Sequence, residues 1–170
     1  KYEFLGHYGE AHGYHLRSRL FGHISQLNRW LSPVSSLANT LLRSLPNRWL
    51  LDLALGIDRR RRPPKLAQQT FSAWFRGRSH FRGGGKRGRV LLFNDTFTEY
   101  NDPQIGMAAT MILESAGFEV AILDERICCC RPMISKGFLT EAKSRVVENL
   151  AVLEPYANQG MPIIGLEPSC

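Results

Sequence analysis

Four cysteines carry most of the chemistry that this sequence can do. Cys128, Cys129 and Cys130 stand side by side, and the fourth is Cys170. Adjacent cysteines fit poorly the Cys-x2–4-Cys spacing of a structural zinc site, and they are awkward partners for bonding to one another. Small buried residues after a strand are the plain alternative, but three in a row exceed what packing needs. Thiolates gathered at converging loop ends suit an iron–sulfur cluster, zinc or a redox disulfide. Arg126 and Arg131 flank the triplet. Their charge is expected to lower the thiol pKa values and to offset an anionic cluster, unless they pair with Asp124 and Glu125 at the surface.

Whether the thiols can meet depends on the elements that carry them. Residues 89–93, Arg-Val-Leu-Leu-Phe, are a short apolar run of the kind that forms a strand covered on both faces. A polar strand-end loop follows at Asn94, Asp95 and Thr96. Pro103 opens a helix through Ile105, Ala108, Ala109, Ile112 and Leu113, and Gly117 stops it. Residues 118–123 make a second strand, and the cysteine loop comes next. A long helix is expected from about 136 to 156, with Val146, Leu150 and Leu153 on its apolar side together with Phe138, Leu139 and Ala142. Gly160 ends it before a third strand at 161–166. The fold class is therefore α/β, a parallel β-α-β-α-β unit with right-handed crossovers, preceded by a helical connector. Functional groups in such sheets collect at the carboxyl ends of the strands, here the loops 94–102, 128–135 and 167–170. If the second and third strands are neighbours, the four thiols meet at one edge of the sheet.

The first ninety residues differ in kind. They hold 17 Lys and Arg against 4 Asp and Glu, a balance of +13, while residues 91–170 hold 5 against 11, a balance of −6. Leu16, Leu20, Ile24, Leu27 and Leu31 form one apolar stripe on a helix of about four turns. A second helix starts at Ser32-Pro33 and runs to Pro46, a third covers 47 to about 55 with Gly56 as its cap, and an aromatic one holds Phe71, Trp74 and Phe75. The organisation expected is a helical connector at 1–76, a Gly/Arg-rich linker at 77–88 and an α/β domain at 89–170. The runs Arg59–Arg62 and 76–89 invite nucleic acid or an acidic membrane as partner, a basic binding module. No helix-turn-helix or zinc-finger spacing accompanies them, so a solvated linker or a face toward an acidic partner is the plainer reading, and no nucleic acid is expected. No apolar run approaches the ~20 residues of a membrane span.

Several other residues have ordinary explanations. His12 and His15 stand three apart, near His7 and His23, but no cysteine or paired acid frames them as a metal site. Tyr2, Tyr8 and Tyr14 read as packing residues. Asp95 and Glu99 could serve as an acid/base pair, or Asp95 or Asp102 could cap a helix. Gly83-Gly84-Gly85-Lys86 precedes a strand and lacks the order of a phosphate loop.

The stretches Leu92-Phe93-Asn94-Asp95-Thr96-Phe97-Thr98-Glu99-Tyr100, Ile127-Cys128-Cys129-Cys130-Arg131-Pro132, Ser135-Lys136-Gly137 and Gly165-Leu166-Glu167-Pro168-Ser169-Cys170 together resemble the cysteine-rich CCG domain. That domain occurs in heterodisulfide reductase subunits and in iron–sulfur subunits of glycerol-3-phosphate, glycolate and lactate oxidoreductases. Residues 15–170 look most like the carboxyl-terminal part of fused oxidoreductases of the D-lactate and D-2-hydroxyglutarate dehydrogenase kind, which join a flavin-binding domain, a ferredoxin-like domain and a CCG region. The resemblance implies that Cys128, Cys129 and Cys170 ligate iron of an iron–sulfur cluster, of 4Fe–4S type, in an electron-transfer portion. FAD would sit in the parent chain, and the acceptor would be a quinone or an electron-transfer protein. Asp95, Arg126, Arg131 and Glu167 would form the cluster's surroundings. The family has Gly where this chain has Cys130; the glycine serves a positive φ or a close approach, so Cys130 either strains the turn or offers an extra ligand. A cytoplasmic location follows, with peripheral contact on the inner membrane face. Both ends look cut, as in a fragment of a longer chain that is inactive by itself. A zinc-structured thiol site is the further alternative.

Overall fold

In the computed structural model, which describes residues 1–78, 86–125, 127–168 and 170, the apolar run Arg89–Phe93 is a strand, β1, flanked on both sides by parallel neighbours. The elements in chain order are α1 (Tyr2–His12), α2 (Leu16–Gly22), α3 (Ile24–Leu31), a single 3₁₀ turn (Ser32–Val34), α4 (Ser35–Arg43), α5 (Leu45–Leu55), α6 (Phe71–Gly77), β1, α7 (Thr96–Tyr100), α8 (Pro103–Ser115), β2 (Glu119–Ile122), α9 (Arg131–Lys136), α10 (Leu139–Asn158) and β3 (Ile163–Gly165). The α/β class is as expected. The chain divides into two compact units, Lys1–Gln68 with Pro132–Ala142, and Gln69–Arg131 with Lys143–Cys170.

The second unit holds the sheet. Its order is β2-β1-β3, with Leu91 and Leu92 paired to Ala121 and Ile122 on one side and to Ile163 and Ile164 on the other. Alternation along β1 sends Val90 and Leu92 to one face, where they pack with Phe71 and Val120. Leu91 goes to the other face, with Leu123, Met161, Val152, Leu153 and Tyr156 around it. Helices therefore cover both sides, and this explains why β1 reads as unbroken apolar sequence.

On the first face the packing is close. A Cβ at Gly106 of α8 would stand 2.7 Å from a Phe71 ring carbon and 2.9 Å from Thr98 Cγ2. Gly106→Ala is expected to destabilise the chain by about 1–3 kcal/mol through overpacking, read as a lower urea midpoint. An unchanged midpoint would mean that α8 can shift freely.

The first unit is helical. Tyr14 stacks on Phe138 with centroids 4.2 Å apart and donates its hydroxyl to the Gly137 carbonyl at 3.0 Å. Its role is packing, as the sequence suggests. Two expectations are altered here. The stripe from Leu16 to Leu31 is split at His23, whose ring Nδ1 lies 2.8 Å from the Arg19 carbonyl and whose Nε2 lies 3.0 Å from Glu141. The helix expected from about 136 to 156 is α10, starting at Leu139; part of the expected cysteine loop forms α9 instead, and the two are separated at Gly137, φ +86°, where a Cβ would come within 2.7 Å of the Leu5 and Gly6 backbone. Gly56 caps α5 in the left-handed conformation, as expected.

Candidate functional site

The sheet order decides how the cysteines can meet. β2 and β3 are not neighbours, because β1 runs between them. The expected meeting along one edge is replaced by a meeting over the carboxyl end of the central strand. The chain passes from β1 to β2 on one side and crosses back to β3 on the other. In parallel sheets such a reversal of direction is where functional groups gather at the strand ends.

Three loops reach this place. After β1, the Asp95 carboxylate caps α7, accepting from the Phe97 and Thr98 amides at 2.8 and 3.2 Å and from Thr98 Oγ1 at 2.5 Å. Asp95 is the helix cap; Asp102 makes no side-chain cap bond to α8. Glu99 accepts from the Ser72 amide and hydroxyl at 3.1 and 2.6 Å and from Asn94 Nδ2 at 2.9 Å. Both carboxylates are buried and bound to structural donors, an arrangement suited to holding the loop rather than to moving protons. The capped turn presents Thr96, whose hydroxyl lies 3.5 Å from Cys128 Sγ.

After β2, the cysteine loop is tied down by Asn149 of α10, which donates Nδ2 to the Cys128 carbonyl at 2.6 Å. Asn149 went unnoticed in the sequence. The spacing from Val146 to Leu153 admits either Asn149 or Leu150 as the inward residue, and Leu150 is 59% exposed. The only available signal was a polar residue beside the apolar stripe.

After β3, Cys170 closes a turn by donating its amide to the Glu167 carbonyl at 2.9 Å. Its sulfur lies 3.0 Å from that of Cys129, and neither is in a disulfide. Cys129 also shares a hydrogen bond with Cys128. Cys128, Cys129 and Cys170 thus form a chain of thiols with access to solvent. Cys130 is turned inward and 2% exposed, its thiol donating to the Cys128 carbonyl at 3.2 Å. Its φ is +64°, the one positive φ among the described non-glycine residues. This is the strained turn that a cysteine in a glycine position implies.

Cys129, Cys130 and Cys170 are held protonated. Cys129 lies well above its ordinary pKa, first through the bond to Cys128, then through burial and the contact with Cys170. Cys130 is raised by burial and next by the charge of Cys128. Cys170 is raised chiefly by burial, which outweighs the opposing bond to Cys129; the charges of Asp95, Cys128 and Glu167 push it the same way. Of the two flanking arginines expected to lower the thiols, Arg131 does act in that direction, without reversing the net rise. Arg131 acts downward on Cys129 through its backbone N–H, and Arg126 lies outside the described residues.

The donor set fits an iron–sulfur centre in kind, being soft, accessible thiols with the Asp95 carboxylate already bonded elsewhere. It is short in number. Among the described residues, no three His, Cys, Asp or Glu are placed to close around one metal ion. This covers the histidines near the start as well; His12 faces the Tyr8 carbonyl at 3.2 Å.

Comparison with known proteins adds an independent line. The chain is 31% identical over 156 residues, 91% of its length, to one of the subunits of the anaerobic glycerol-3-phosphate dehydrogenase of Escherichia coli K12. It is 37% identical over 68 residues to one of the subunits of the CoM/CoB fumarate reductase of Methanothermobacter marburgensis, which is 40% of this chain and 14% of that protein. Over 66 residues it is 30% identical to lactate utilization protein A of Bacillus velezensis, 39% of this chain and 28% of that protein. The chain is related to oxidoreductase subunits. It spans 39% of the length of its glycerol-3-phosphate dehydrogenase relative. No protein-family model matches it, and no solved structure matches it. Among the described residues, no helix is long and apolar enough to cross a membrane.

Proposed function

We propose that this chain is part of the electron-transfer portion of a flavin-linked oxidoreductase, with 2-hydroxyacids as the substrate class. Residues 89–170 are a partial CCG-type domain, 1–76 the connector that leads to it and 77–88 the link between them. The observation that carries this reading is the convergence of Cys128, Cys129 and Cys170 over the end of β1, with Cys129 and Cys170 sulfurs 3.0 Å apart.

In this reading the three thiols lose their protons and hold iron of a 4Fe–4S cluster, whose remaining ligands come from outside the described residues. Bound there, the cluster supplies single-electron transfer. The protein's own contribution is positional and electrostatic. Asn149 fixes the loop, the Arg131 amide donates to Cys129, and the Asp95 charge beside Cys170 opposes further negative charge. Glu167 adds to the charged surroundings, and Arg126, outside the described residues, is assigned to them on the resemblance alone. Electrons would arrive from FAD through a ferredoxin-like domain of the parent protein and leave to a quinone or an electron-transfer protein. Free thiols at such a site suit the reducing cytoplasm.

The test is anaerobic expression of the chain together with its parent protein, followed by iron and acid-labile sulfide analysis and a visible spectrum. Iron and sulfide that depend on Cys129 are expected. A protein that holds zinc alone, or no metal, ends this reading.

A further inference from the structure

Two buried carboxylates grip the loop after β1, one on each side of Thr96. Asp95 is 1% exposed and binds the Phe97 and Thr98 amides and the Thr98 hydroxyl. Glu99 is 2% exposed and binds Ser72 through two donors and Asn94 through one. A helix cap needs only the first of these. The second ties the loop to α6 as well, so the backbone at Thr96 has little freedom. Thr96 is itself buried, and its hydroxyl donates to Cys128 Sγ at 3.5 Å, a length suited to the larger sulfur atom. From the other side, Asn149 of α10 holds the Cys128 carbonyl at 2.6 Å. Donor and acceptor are therefore positioned by separate anchors, and the bond between them depends on both.

Such a bond bears on a sulfur that ligates iron. A donor aimed at the sulfur draws electron density away from the metal. That favours the reduced, more negative form and raises the reduction potential. The Cys129 thiol also bonds to Cys128, but it gives up its proton when it takes up metal. A threonine hydroxyl keeps its proton, so its bond outlasts metal uptake. The Asp95 charge beside Cys170 opposes reduction, and a neutral donor at Cys128 counters it.

We propose that Thr96 raises the reduction potential of the cluster through its hydrogen bond to Cys128, as a positioning residue that touches a ligand and not the iron. This rests on the cluster reading given above. The test uses the chain together with its parent protein, expressed anaerobically. Iron and sulfide are assayed first, and the potential is then followed by dye-mediated titration with EPR detection. The signal of this centre is the one that Cys129→Ser removes. Thr96→Val and Thr96→Ala lack the hydroxyl, and both should move the potential to a more negative value with iron per chain unchanged. Thr96→Ser keeps the donor and should stay at the parent value. If the potentials of Thr96→Val and Thr96→Ala equal the parent's, or if Thr96→Ser is displaced as far as they are, this proposal is overturned while the cluster reading stands. A parent protein without iron and sulfide ends the cluster reading and this proposal together.

Discussion

Arg78→Met is expected to lower stability by about 3–5 kcal/mol, which is a large part of what holds a domain of this size together. The Arg78 guanidinium meets both Glu114 oxygens, at 2.6 and 2.8 Å, and lies 4.2 Å above the Phe75 ring. Arg78 is 18% exposed and Glu114 8%, so the pair is largely removed from water. Removing the arginine leaves a carboxylate on α8 facing the aromatic residues of α6. It must either stay charged in a poor solvent or take up a proton. The second variant decides the cause. Arg78→Met with Glu114→Met replaces both charges by apolar bulk and should recover most of the loss, since a buried pair often gains little over well-packed apolar residues. Urea midpoints of the two variants check this. If the double variant is no better than the single one, the arginine acts through its stacking and not through its charge.

The same pair shows what the sequence can and cannot convey. Arg78 stands in a Gly/Arg-rich stretch with no apolar neighbour to mark it as buried, and its partner is 36 residues away. Composition gives such a residue to solvent. Strand β1 was legible because five apolar or amphipathic residues in a row have one economical use. Helix α8 was legible because Pro103 and Gly117 bound it. The order of the strands was not legible, because local pattern does not say which of two parallel strands lies beside the first. That order moves the thiols from an edge to the centre of the sheet. The split at His23 was hidden for a similar reason: the imidazole is drawn from the helix by Glu141, 118 residues away. At the candidate site, three of the four cysteines were placed by reasoning about strand ends. Asn149 was missed because a one-residue change in helical phase exchanges it with Leu150.

Cys130 and Cys129 should respond oppositely to substitution, and the contrast separates scaffold from ligand. Cys130 holds φ at +64°, a conformation that costs an L-residue about 1–2 kcal/mol and glycine almost nothing. Cys130→Gly should leave iron content unchanged, with the relief of strain offsetting the loss of one small buried side chain. Cys130→Val, branched at Cβ in the same conformation, should destabilise the loop by at least about 2 kcal/mol and lower iron content indirectly. Cys129→Ser should do the reverse. Its hydroxyl keeps the size and the bonding to Cys128 and Cys170, so thermal stability without metal should change by less than about 1 kcal/mol, yet iron retention should fall severalfold. Cys170→Ser should follow Cys129→Ser, because the two sulfurs face each other at 3.0 Å. The measurements are iron per chain after anaerobic reconstitution and the melting temperature of the metal-free protein. If Cys130→Gly loses iron while Cys129→Ser retains it, the inward-facing thiol is the ligand, and the loop must turn over when metal binds.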